Sequence, residues 1–561
     1  MKQIRIFLRI ILVAVIAVAC TDDFDEINTN QQGFVASEVS AKFFLTSGQA
    51  QLFAPGRYEY WRAQLIHADR YAGHFSFGHS GMWFNGSSGY DYNAGWTDAV
   101  YDWLANYFGT LKSFQDLTTE GGEFENEYMY AMSLIMKGLY YQMYTETFGM
   151  VPFSEAGVDG ILTPKYDTQA QIYQGIIADL DQAMATIGDT QRTGLGVNDV
   201  GVNDVYCGGD LQQWKRMANS LKLRIASRAV GAPGANFAAV AITEAMSNPL
   251  LDAGSGNVTM TKDFVISEWN SSSYGDIWWD FASNGPVAQW AVSATLVNAL
   301  KDNTDPRLPQ FASAAKGGTM TFEDQGTDPD FANRLNVTMS NMDKANINYT
   351  HTQSGTSHTI VMPGGQYLGQ PERLHADMLP FMPLAMFSEP SETLTQIRGQ
   401  QVDAYKEVIM TSAESYFLQA EAIVKGNGTG DAQAMMNAGI TESMSFWGVS
   451  SGDAATYIAN AALADISTGS TDEMLEKIAM QRWISAFTDG FEAWAVVRDT
   501  GYPANLAVGV SDQSIYSLGT LSGAYPQRMR YGTGAQANPN FSDAIGAQGA
   551  DNQGTALWFT K

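Results

Sequence analysis

The residues best placed to do chemistry lie in "YAGHFSFGHSGMWFNGSSGYDYNAGW", Tyr71 to Trp96. Eight of these 26 residues are aromatic and six are glycine, against 12% aromatic for the whole chain. The stretch holds one acid, Asp91, and neither lysine nor arginine. Glycine and serine make the backbone irregular, and the rings do not follow the three-and-four spacing of a core helix. What such residues offer is adhesion without bond breaking. Ring faces on loops give a large contact area at low entropic cost, and Asn and Ser supply hydrogen bonds. A second cluster of the same character is "SEWNSSSYGDIWWDF", Ser267 to Phe281. A ligand is expected at Trp83, Tyr90, Tyr274 and Trp278, with Asn85 as an orienting polar group. The competing reading is that the rings fill a core beneath long loops.

Signals for bond-breaking chemistry are poor, and no catalytic residue is assigned. "GHSGM" misses the nucleophile elbow because Met82 stands where its last glycine belongs. "GTGAQA", Gly532 to Ala537, matches a dinucleotide fingerprint only in letters, because no strand–helix–strand unit surrounds it. His74 and His79 lie five apart with no nearby cysteine or H-E-x-x-H pattern, and are read as loop polar groups. No metal or cofactor is therefore expected. A carboxylate pair set by the fold cannot be picked out of 59 acids by spacing. Lys215, Arg216, Lys222, Arg224 and Arg228 are read as a solvated helix face with internal ion pairs. Binding a substrate carboxylate is the other possibility there.

The chain opens as an export signal. Lys2, Arg5 and Arg9 precede the apolar run Ile10–Val18, which is too short to span a bilayer. Small residues then flank Cys20, the pattern of a bacterial lipobox, so residues 1–19 read as a lipoprotein signal peptide. Several acyl chains on Cys20 would anchor stably where one would not. Asp22, Asp23, Asp25 and Glu26 follow at once. An acidic run does not dock on an anionic membrane surface; residues 20–35 are read as anchor and acidic tether. The membrane is expected to be touched only through this lipid.

The formal charge of −27 argues against nucleic acid, whose phosphates need Lys and Arg. Charged residues make up only 16% of the chain and 54 residues are glycine, which describes a globular, loop-rich protein. Of two cysteines, Cys20 is the lipid candidate and Cys207 stands alone. No intramolecular disulfide is then possible in the lipidated form. The repeat "GVNDVGVNDV", Gly196 to Val205, reads as a loop duplication.

Helical periodicity dominates. Tyr128, Met132, Ile135, Leu139 and Met143 form one stripe of an amphipathic helix. Thr168-x-x-Gln171 and Ser470-x-x-Glu473 read as capping boxes, and Asp210 caps a helix carrying Trp214, Ala218, Leu221 and Ile225. "SYFLQAEAIVKGNG" should stop at Lys425–Gly426. Strand signals are few, such as "TIVM" at Thr359–Met362, and 250–400 reads mostly as loop. Paired amphipathic helices suggest a helical repeat, although no clean period fixes its type.

Several blocks together resemble the SusD/RagB family. They are "ETFGMVPFSEAG" (Glu146–Gly157), "PKYDTQAQIYQGIIADLDQA" (Pro164–Ala183) and "GGDLQQWKRMANSLKLRIASR" (Gly208–Arg228). "DPRLP" (Asp305–Pro309), "EKIAMQRWISAFTDGFEAWAVVRDTGYP" (Glu476–Pro503) and "NPNFSDAIGAQGADNQGTALWF" (Asn538–Phe559) continue the series. The resemblance implies a mainly α fold of tetratricopeptide-like helical pairs, with few short strands. One such domain would fill 36–561, with a helical scaffold near 98–247 and 401–500. The loop-rich ligand region would lie near 57–97 and 250–400. It also implies a lipid-anchored outer-membrane protein facing the cell exterior, above a TonB-dependent SusC-like transporter. Its ligand would be an oligosaccharide or a peptide. The acidic run resembles the surface-export signal of such lipoproteins. A surface hydrolase acting on glycans or peptides is the alternative, and a purely structural role a third.

Overall fold

The computed structural model describes residues 39–77, 89–261, 274, 277–278, 290–395 and 406–560. Cys20, the acids at 22–26, His79, Trp83 and Asn85 lie outside the described residues.

Helices begin where side chains can satisfy their first amides. α1 (Lys42–Phe53) leads into a helical stretch in three pieces, Arg57–Tyr60, the π-helical Trp61–Ala68 and Asp69–Tyr71. α2 (Ala94–Thr118) and α3 (Glu127–Phe148) are opened by Asn93 and Asn126, whose side chains accept from backbone amides of the first turn. α4 (Gln169–Ile187) carries the expected Thr168–Gln171 capping box with both reciprocal bonds. Asp210 caps α5 (Leu211–Ala229), and α6 is Ala238–Met246. α7 (Ala294–Asp302) and α8 (Phe331–Lys344) follow, then α9 (Ser412–Val424) and α10 (Ala432–Phe446). α9 stops before Gly426, whose φ of +75° is the left-handed turn a C-terminal glycine supplies. The Ser470–Glu473 box opens α11 (Thr471–Ser485), and α12 is Gly490–Thr500.

Consecutive helices pack side by side from α2 to α6, and α9 packs on α10 and α11; contact between α5 and α9 joins the two stacks. α3 departs from the expected single stripe. Met132, Ile135 and Leu139 are buried, but so are most residues from Met129 to Phe148 all round the helix. It is the central helix, with α2 on one side and α4 on the other, so no face is left for water.

The basic face of α5 is a correction. Arg224 and Arg228 are buried, not solvated. Arg228 is fully enclosed, with Nη1 2.8 Å from both Glu146 oxygens and Nη2 bonded to Glu492. Arg224 forms a bidentate pair with Glu414 on α9, and Arg482 on α11 reaches Glu421 at 2.6 Å. Burial alone would raise the Glu492 carboxyl, but Arg228, Arg224 and Arg482 hold it below the usual carboxylate range. These pairs cross between helices α3, α5, α9, α11 and α12 where apolar packing would otherwise meet.

Strands are short. β1 (Phe75–Phe77) pairs antiparallel with β3 (Trp290–Val292), and β2 (Val258–Thr261) with β7 (Lys406–Met410). β4 (Gly318–Glu323), β6 (Ser357–Met362) and β5 (Thr350–Ser354) form a three-stranded sheet in that order. Residues 290–395 thus hold two of the labelled helices and a sheet with its own apolar cluster, more regular structure than the loop expected there. The polar, glycine-rich connections between these elements hid them from a periodicity reading.

Candidate ligand-binding site

A two-stranded ribbon pairs Phe75–Phe77 of the first aromatic segment with Trp290–Val292. In the β1–β3 register Phe75 faces Val292, Ser76 faces Ala291 and Phe77 faces Trp290. Phe75–Phe77 lie inside the first aromatic segment, and Trp290 follows the second in sequence. These partners lie more than 200 residues apart in sequence, and the ribbon sets Phe75–Phe77 beside Trp290–Val292. Ser293 locks it, donating its hydroxyl to the Gly73 carbonyl and its amide to the His74 carbonyl at 3.0 Å. On the other side Gln370 donates its amide to Val292 and accepts from Ala294. The Gln370 side chain is fully buried, and neither end of its amide finds a partner among the described residues.

Three of the five expected ligand residues are described, and all three are buried. Tyr90 is 2% exposed, Tyr274 1% and Trp278 6%. The Tyr274 hydroxyl donates to Asp69 at 2.7 Å, and its ring lies edge-on to Tyr60 and tilted against Phe75. Trp278 meets Trp290 edge-to-face at 4.9 Å. Tyr90 is sandwiched between the guanidinium groups of Arg373 at 4.3 Å and Arg70 at 5.6 Å, with Tyr71 edge-on at 5.1 Å. All three rings are packed against neighbouring side chains. The Tyr90 and Tyr274 hydroxyls are bonded inward, to the Arg70 carbonyl and to Asp69.

The helical stretch 57–71 supplies that inner shell, and its π-helical middle is the kind of irregularity that re-aims side chains. Burial raises the Asp69 carboxyl well above its ordinary value; the Tyr274 bond opposes the shift, and Glu407 and Asp489 add to it. Gly490 must be glycine there, since a Cβ would come within 2.3 Å of Asp69 Oδ1. His74 is a correction to the loop reading. It is fully buried against the rings of Trp483 and Phe487, with Nε2 3.1 Å from the Trp483 carbonyl. Burial pulls its pKa down to about 3, so it is neutral at physiological pH. Arg373, at φ +63°, donates to the Gly523 and Leu518 carbonyls and so pins the loop that closes over Tyr90.

Asp69, Arg70, Gln370 and Arg373 were not expected from sequence. The one available signal, for Asp69 and Arg70 alone, was their charged pair close after the apolar residues Leu65 and Ile66. Among the described residues no group of three potential metal ligands comes together, and no helix is long and apolar enough to cross a membrane. The arrangement is suited to holding buried aromatic rings in place.

Comparison with known proteins agrees with this architecture. The profile of a family described as SusD-like, starch-binding and associating with the outer membrane matches residues 35–532. No match was found among curated proteins. Among solved structures, one described as a chitin-binding protein is 22% identical with a TM-score of 0.69, covering 93% of this chain and 100% of its own. A SusD homolog from Bacteroides uniformis is 20% identical with a TM-score of 0.68, over 93% and 99% of the two chains. A chitin-binding SusD homolog from Flavobacterium johnsoniae is 20% identical with a TM-score of 0.67, over 92% and 98%. At these identities the likeness is one of fold.

Proposed function

The chain belongs to the SusD-like family of outer-membrane-associated binding proteins, and from that premise we propose that it is a cell-surface lipoprotein that captures an oligosaccharide. It hands the oligosaccharide to a SusC-like TonB-dependent transporter without breaking a bond. Cys20 carries the lipid, and Asp22, Asp23, Asp25 and Glu26 direct the protein to the outer face. The observation that supports the reading is the β1–β3 ribbon, where Tyr274 against Phe75 and Trp278 against Trp290 bring described rings of both aromatic stretches together. Trp83 and Asn85 are the residues assigned to the ligand. Tyr90, Tyr274 and Trp278 form the packed floor that holds those segments. An oligosaccharide is favoured over a peptide because the family description names starch and two of the fold relatives are described as chitin-binding. Stacking rings with amide and hydroxyl groups suit such a ligand.

Mild-detergent extraction tests the delivery step. The protein should come out with a much larger β-barrel partner, across an interface above about 1,000 Å² if the complex is stable. Recovery as monomer alone, while other outer-membrane complexes stay intact, would contradict it.

A further inference from the structure

Beside the aromatic locus lies an open cleft of about 820 Å³, a size that accepts a small ligand. Its two long walls are helices. α7 lines it with Thr295, Asn298 and Asp302, and α8 with Ser340, Asn341 and Lys344. Those positions follow the spacing at which a helix normally packs against a neighbour, yet here they carry amides, hydroxyls and charges. The Asn298 and Asn341 side chains are half-buried and hydrogen-bond to no other described residue. Amides without protein partners are free to hydrogen-bond a ligand or water.

One end of the cleft is tied together by hydrogen bonds. Asn505 donates to the Thr295 hydroxyl at 2.6 Å, and Glu372 accepts from the Thr295 amide at 3.1 Å. Arg373 lies there too, 4% exposed, and its Nε has no partner although both terminal nitrogens are bonded. Tyr90 is shared between this cleft and the floor of the aromatic locus, and α7 begins two residues after β3. The charge balance is lopsided. Asp302, Glu372 and Asp512 line the cleft, while Lys344 is the one lining cation not already bonded to backbone carbonyls.

We propose that this cleft is a second saccharide subsite, which shares Tyr90 with the ring cluster at the ribbon. It takes an uncharged, hydroxyl-rich sugar unit and turns away uronic or sulfated ones. The proposal rests on the oligosaccharide reading above. Asn298 and Asn341, each donor and acceptor, bracket the sugar hydroxyls from opposite walls. The carboxylates repel an anionic sugar at close range.

The test uses the intact protein on an array of neutral oligosaccharides (malto-, chito-, xylo- and manno-series) and oligogalacturonates. Asn298→Ala/Asn341→Ala should weaken binding of the neutral glycans that the wild type retains by about tenfold, the loss of two ordinary hydrogen bonds. Asp302→Asn/Asp512→Asn changes two exposed residues and should keep neutral binding while gaining about tenfold on oligogalacturonates. Melting curves establish that both variants fold. Wild-type affinity of the Asn298/Asn341 variant for every neutral glycan would overturn the subsite and leave the proposed function standing. No gain on anionic glycans in the Asp302/Asp512 variant would overturn the charge filter. Retention of no neutral glycan by the wild type would overturn both the subsite and the oligosaccharide reading.

Discussion

His74 has lost the property for which histidine is usually chosen. Enclosed by Trp483 and Phe487, it stays neutral until about pH 3, and His67 until about pH 4. Both values lie below the unfolded value of about 6.5. Between these limits the unfolded chain binds protons that the folded one refuses, so this share of stability is present above about pH 6.5 and is lost as pH falls. Asp489, pushed up to about 7 by burial, acts in the opposite sense, losing stability as pH rises from about 4 to 7. The wild-type curve is a sum, so the variant isolates the histidine. His74→Gln should flatten the rise of melting temperature between pH 4 and 6.5, and an unchanged slope would assign it elsewhere. Tyr274→Phe leaves the Asp69 carboxyl without its donor and should cost about 1–3 kcal/mol in urea unfolding. Residue types and local composition marked Tyr90, Tyr274 and Trp278 as special. Their burial was not legible, because the partners that cover them, Asp69, Arg373 and Trp290, come from distant segments.

The start and stop of helices were legible wherever a cap was at stake. Thr168, Asp210, Ser470 and Gly426 act through neighbours within a few residues. Which faces are buried was less so. α3 carries an apolar stripe but is enclosed all round, and the basic positions of α5 look solvated in sequence and are paired across helices. A periodicity reading weighs a helix alone, whereas a buried arginine is acceptable only because acids arrive from three other helices. Arg228→Met strands Glu146 and Glu492 without their shared cation and should cost about 3–5 kcal/mol. Adding Glu146→Gln and Glu492→Gln to that variant should recover part of the loss. A triple variant less stable than the single one in chemical denaturation would contradict this account of the network.

Across the whole molecule, the family resemblance and mainly helical class were legible because blocks spread over most of the chain agree in order. The β1–β3 ribbon and the polar cleft beside it were not, since neither has a local pattern. Cys20→Ala should abolish acylation and leave the protein unanchored. Neutralising Asp22, Asp23, Asp25 and Glu26 together should keep the lipid but lose labelling at the surface of intact cells. Unchanged labelling of the acid-neutralised protein would remove the address while sparing the lipobox.

The reading of the aromatic locus as a capture site turns on Trp83. Calorimetric titration of wild type and Trp83→Ala with an oligosaccharide the wild type binds, paired with melting curves, measures this directly. A central ring is worth on the order of 2 kcal/mol or more, so the variant should bind roughly 30-fold more weakly while melting close to wild type. Full affinity with a large fall in melting temperature, as for a buried ring costing about 3–5 kcal/mol, would show that Trp83 belongs to the core and that capture happens elsewhere.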